Sequence, residues 1–180
     1  MVALPYQIKE LTGSYLAVGA IGAVELIPLI IFGLYGGVLA DRYDRKKLIW
    51  FSEAGSLLLV GGLLLNSLTD SPSLLFIYVI TALFSAVDGI QRPSAGAILP
   101  RLVSHDDLPA ANALMSLRWQ LGVIVGPAVG GLVIASFSTS LGFAIDALTY
   151  LVSLFFLWRL KNVPVTDKSE KPAISALLEG

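Results

Sequence analysis

The chain has 180 residues, of which 56% are hydrophobic and only 14% charged, with a net charge of −1 and no cysteine. A soluble domain carries about 25% charged residues, so this shortage points to lipid as the solvent. The charge balance argues against a nucleic-acid binder, and the missing thiols exclude disulfides, thiolate metal sites and cysteine catalysis.

The first 13 residues, MVALPYQIKELTG, hold too few apolar positions to cross a membrane. They also lack the basic start and small-residue cleavage site of a signal peptide. A spanning helix needs about 20 apolar residues for a hydrocarbon core of ~30 Å. Five runs meet that requirement, at 15–40, 48–68, 74–99, 110–137 and 141–160, and they are too long and too uniform for strands. Polar connectors at 41–47, 69–73, 100–109 and 138–140 separate them. Such short connectors predict consecutive helices that are antiparallel and adjacent. The single His105, beside Asp106 and Asp107, is read as a surface residue of the third connector. Residues 1–161 then form the membrane bundle, and 162–180 a polar cytoplasmic linker whose last nine residues begin a helix that is cut off. An odd number of spans with both ends unfinished predicts a fragment of a longer protein.

Charge placement provides an independent test of this topology. With alternating helices, Arg42, Arg45, Lys46, Lys47, Arg101, Arg159, Lys161, Lys168 and Lys171 fall on one side, against Lys9 alone on the other. The basic side is cytoplasmic by the positive-inside rule.

Two motifs stand out. The first is Gly36-Gly37-Val38-Leu39-Ala40-Asp41-Arg42-Tyr43-Asp44-Arg45-Lys46-Lys47, at the end of the first span. Gly33 and Gly37 lie four apart and invite close approach of a neighbouring backbone. Asp41 at the membrane edge can pair with Arg42, Arg45 or another helix. A plain positive-inside loop with a boundary Asp would look the same. The second is Gly122-Val123-Ile124-Val125-Gly126-Pro127-Ala128-Val129-Gly130-Gly131. Its glycines recur every four residues as a smooth ridge for packing, and Pro127 removes a backbone hydrogen bond and favours a kink.

The first motif resembles the G-x-L-A-D-R-x-G-R-[RK] loop between helices 2 and 3 of major facilitator transporters, with Asp44 in place of the second Gly. The second resembles the antiporter motif on helix 5 of that family. Residues 6–14, Gln91-Arg92-Pro93 and the stretch from Leu99 to Ala113 resemble its enterobactin-exporter and macrolide-efflux branch. The resemblance covers nearly the whole chain. It implies an all-α membrane fold in which the five spans are helices 2 to 6 of an N-terminal six-helix half, preceded by the outer end of helix 1. It also implies a gating loop formed by Gly37, Asp41, Arg42, Arg45 and Lys46, in which Asp41, Arg42 and Arg45 form an Asp–Arg network. The packing motif is Gly122, Gly126, Pro127, Gly130 and Gly131.

Charges within spans are functional candidates, because each costs about 2.5–3.5 kcal/mol or more at the bilayer centre unless paired or wet. Asp88 and Arg92, four apart, can form a local pair that only fixes packing. Arg92 also stands where the family keeps an Arg linked to proton coupling. Glu25, before Pro28, and Arg118, near mid-depth, are expected to face one central cavity and to handle substrate or protons. Asp146 could serve packing or transport, and Glu53 reads as a partner of the basic loop. The function expected is secondary active transport, by proton-coupled efflux of a small amphipathic molecule such as a siderophore or drug, with a separate C-terminal half as partner. A non-transporting membrane scaffold that needs a partner chain is the alternative. With no phosphate-cradling loop, nucleophile elbow or metal cluster, neither enzyme activity nor a cofactor or metal is expected. The expected setting is a multi-pass protein of the bacterial inner membrane, with the lipid bilayer as its main partner.

Overall fold

The computed structural model describes residues 2–160, apart from the side chains of Asp41, Ala97, Arg101 and Leu102. The linker expected at 162–180, with Lys161, Lys168 and Lys171, lies outside the described residues. Six helices follow one another: α1 (Ala3–Thr12), α2 (Tyr15–Arg42), α3 (Arg45–Ser67), α4 (Leu74–Leu102), α5 (Leu108–Ser136) and α6 (Thr139–Arg159). The five longer ones are long and apolar enough to cross a membrane, and no strand occurs among the described residues.

The boundaries follow from capping chemistry. Ser14, Ser73 and Ser138 start α2, α4 and α6, each accepting from a backbone N–H three residues on. Asp44 starts α3, its Oδ1 accepting from the N–H groups of Lys46 (2.9 Å) and Lys47 (3.4 Å). These bonds satisfy N–H groups that a helix start leaves without partners. Gly13 ends α1 with φ of 64°, the left-handed conformation that favours glycine at a helix end. The prolines within α2, α4 and α5 do not end those helices.

Chain neighbours are not all spatial neighbours. The most extensive contact joins α2 to α4, two helices that run in the same direction, whereas α2 and α3 barely touch. The expectation that each helix packs beside the next therefore fails at α2/α3 and also at α4/α5, which meet only marginally. Glycine explains the exception. A Cβ on Gly89 would sit 2.9 Å from the Gly33 nitrogen, and one on Gly36 only 2.7 Å from the Gly89 oxygen. The α2 and α4 backbones are in direct contact there, which no larger residue would permit. The glycines this contact requires are Gly36 and Gly89; a Cβ on Gly33 or on Gly37 would meet open space, and Gly33 contributes only its backbone nitrogen.

The apolar core is concentrated toward one end. Ala3, Leu4 and Ile8 of α1 are buried against Ile21, Val60, Leu63, Ile77, Ile80, Ile134 and Phe143. These come from the first turns of α2, α4 and α6 and the last turns of α3 and α5, which is the end opposite the basic connectors. The short α1 thus acts as a plug around which the longer helices converge. At the same end the Tyr78 hydroxyl donates to the Ala17 carbonyl at 2.7 Å, tying α4 to α2.

α3 and α6 pack against one another, with polar contacts at three levels. The Lys46 ammonium donates to the Leu160 carbonyl. The Ser56 and Tyr150 side chains lie together, and Ser67 Oγ donates to Ser140 Oγ at 3.0 Å. Each step of ten or eleven residues along α3 is matched by ten residues back along α6. That is about three helical turns, so the ties recur on one face of each helix.

Candidate functional site

The basic connector occupies the end opposite the core. Gly37 and Asp41 lie in the last turns of α2, placed by the backbone, and the Asp41 side chain is outside the described part. Arg42 is exposed. Arg45 Nε donates to the Ala40 carbonyl at 3.2 Å, and Lys46 donates to the Leu160 carbonyl. Adjacent cations therefore meet the C-terminal ends of two different helices, where carbonyls lack intrahelical partners and the helix dipole is negative. Asp44 is the N-cap of α3, its carboxylate accepting from the N–H groups of Lys46 and Lys47.

The charges within the spans fall into three places. Asp88 and Arg92 form the expected local pair on α4, with both Nε and Nη2 of Arg92 2.7 Å from Asp88 Oδ2. Glu25 of α2 lies within electrostatic reach of Asp88. Glu53 of α3 accepts from Gln91 Nε2 of α4 at 2.6 Å, instead of pairing with the basic connector. Seven residues separate it from Lys46, a rise of about 10 Å, which puts the carboxylate beyond the reach of the connector. Near it, Tyr150 of α6 joins Ser56 and lies within electrostatic reach of Glu53, Asp146 and Asp88.

The third place is a cavity of about 770 Å³ between α1, α5 and α6, lined by Arg118, Trp119, Gly122, Gly126, Pro127 and Asp146 among others. Arg118 thus shares its cavity with Asp146 and not with Glu25, contrary to expectation. The reason is architectural: α2 is committed to α4, and among the described residues α2 and α5 make no contact. Arg118 itself makes no hydrogen bond or ion pair among the described residues. The glycine ridge of α5 also differs from its expected packing role. A Cβ on Gly130 would meet the Val2 side chain at 3.3 Å, but those on Gly122, Gly126 and Gly131 would meet open space. Most of that smooth face borders the cavity. Among the described residues no group of His, Cys, Asp or Glu is placed to hold a metal ion.

Sequence reasoning missed several of these residues. Gly89 and Gly36 could have been found as small residues in long spans, and Tyr150 as a mid-span hydroxyl that must find a partner. Nothing in the spacing of Glu53 and Gln91 announces that they meet.

The Major Facilitator Superfamily profile matches residues 1–179. The chain belongs to the Major Facilitator Superfamily. Within it, the chain is 32% identical over 177 residues to the enterobactin exporter EntS of Salmonella choleraesuis, covering 98% of this chain and 43% of that protein. It is 31% identical over 179 residues to the enterobactin exporters EntS of Shigella boydii and of Escherichia coli O1:K1, covering 99% of this chain and 43% of each. The chain therefore spans less than half the length of the curated relatives it matches. No solved structure matches. The helical architecture is that of a major facilitator N-terminal half.

Proposed function

We propose that the chain is one half of a secondary active transporter of the bacterial inner membrane that exports a small amphipathic molecule, a siderophore or drug, in exchange for protons. It carries out no enzymatic chemistry. The observation that carries this reading is the cavity in which a mid-span Arg118 and Asp146 face a wall of glycine, proline and tryptophan. A cation inside a membrane is costly unless paired or wet, and an amphipathic guest with an anionic group would supply the partner that Arg118 lacks among the described residues. The relatives' printed activity, export of enterobactin, fits a guest of this class. In such folds, repeated bundles rock around a site near the midplane, so this chain provides one wall and a C-terminal half the other.

In this reading Glu25 is the proton carrier. Asp88 and Arg92 neutralise one another, and Gly37, Asp41, Arg42, Arg45 and Lys46 form the cytoplasmic gate. The test is flux in sealed vesicles. The chain alone is expected to move no substrate, and coexpression with a matching C-terminal half to give export that collapses with the proton gradient. Arg118→Ala is then expected to abolish export, and Glu25→Gln to uncouple it from protons. Unchanged coupled export in both variants would overturn the site assignment. A second reading, a scaffold that only assembles with a partner chain, draws on the unfilled glycine face of α5. Co-purification with the partner half without any flux would favour it.

A further inference from the structure

Among the described residues α2 and α6 make no direct contact. Their C-terminal ends are nevertheless bridged by two consecutive residues, Arg45 on the Ala40 carbonyl at the end of α2 and Lys46 on the Leu160 carbonyl that closes α6. Both residues are half-buried, and both sit in the first turn of α3, which Asp44 caps. The geometry points to a yoke: Arg45 and Lys46 are positioning residues that hold the inner ends of α2 and α6 at fixed heights against α3.

The physical case rests on three features. Each arm is a charge-assisted hydrogen bond to a terminal carbonyl, where the donor relieves an orphan acceptor and meets the negative end of the helix dipole. The Lys46 arm is also the innermost polar contact between α3 and α6, in register with the Ser56–Tyr150 contact and the Ser67–Ser140 hydrogen bond. The outer end needs no such device, because Leu4, Ile8, Leu63 and Phe143 already lock the helices together there. At the inner end the buried apolar residues are Ala40, Ile49 and Ile98, none of them on α6, and the yoke joins α6 there. The motif's basic residues thereby gain a role within one bundle, apart from any network with Asp41. This inference stands on the bundle and holds whichever reading of the function is correct.

The chain has no cysteine, so spin labels go only where cysteines are introduced. Three label pairs in lipid nanodiscs separate the possibilities: Val38 with Phe156 for the α2–α6 inner ends, Phe51 with Phe156 for the α3–α6 inner ends, and Leu65 with Leu141 for the α3–α6 outer ends. All five positions are exposed. Narrow distance distributions are expected for all three pairs. Lys46→Met should raise the separated population at both inner pairs by about tenfold, the equivalent of one lost charge-assisted bond. It should leave the outer pair unchanged, and Lys46→Arg should restore the narrow form. Arg45→Met should broaden the α2–α6 pair alone. If Lys46→Met is not recovered folded, Lys46→Gln is read by the same criteria. Narrow inner pairs in the methionine or glutamine variant would overturn the yoke, as would equal broadening of inner and outer pairs.

Discussion

The two ends of this bundle are held by different chemistry. At the outer end, α1 inserts Ala3, Leu4 and Ile8 among five converging helices, and the side chains there are almost wholly buried. At the inner end, the ties are individual polar bonds: Arg45 to Ala40, Lys46 to Leu160 and, deeper, Gln91 to Glu53. Apolar packing is spread over many atoms and has no single point of release. A hydrogen bond contributes about 0.5–1.5 kcal/mol net and can be exchanged for water where water reaches it. A bundle built this way is held at one end by packing spread over many atoms and at the other by bonds that can be exchanged one at a time.

Between the two ends lies the glycine contact of α2 with α4, and it carries the largest expected effect. Gly89→Leu would drive side-chain atoms into the α2 backbone, since even a Cβ at that position would lie 2.9 Å from the Gly33 nitrogen. No rotamer relieves such a clash, so loss of folded protein in detergent is expected, read by size-exclusion chromatography. Recovery of a monodisperse variant of wild-type stability would mean that the two helices do not touch there. Phe143→Ala comes next. Phe143 is 1% exposed in the outer core, and truncation of a buried Phe costs about 3 kcal/mol or more. Thermal unfolding should show the loss, and a change as small as that of a surface residue would break the contrast between the ends.

The inner ties should cost less. Gln91→Leu leaves the Glu53 carboxylate without its donor, at about 1–3 kcal/mol. Asp44→Ala removes the cap of α3, at about 1 kcal/mol. A double-mutant cycle of Gln91→Leu with Glu53→Gln should reveal coupling between the two positions. Additive effects would show that the bond is not made. Gly126→Ala is the smallest, within about 0.5 kcal/mol, because the new methyl meets open space. A large loss there would show that the α5 face is packed after all.

The helical architecture was legible in the sequence because length and hydropathy leave few alternatives inside a bilayer. The expected run at 74–99 corresponds to α4 (Leu74–Leu102), and Ser73 and Ser138 mark helix starts through their hydroxyls. The motifs placed the basic connector and the α5 glycines. Asp88 and Arg92 could be paired in advance because four residues on a helix fix their separation. Pairing across helices was not legible. Whether Arg118 meets Glu25 or Asp146 depends on which faces pack, and glycine contacts set that by letting α2 bypass α3 and join α4. Near-uniform hydrophobicity hides the buried face, because lipid and core select the same side chains.

Amide hydrogen exchange of the chain in nanodiscs addresses the contrast between the ends most directly. The slowest amides are expected in the outer turns around Leu63, Ile77 and Phe143, with faster exchange in the inner turns of α2 and α3 around Ala40 and Lys46. Uniform protection along both helices, or slower exchange at the inner ends, would contradict a bundle anchored outside and releasable inside.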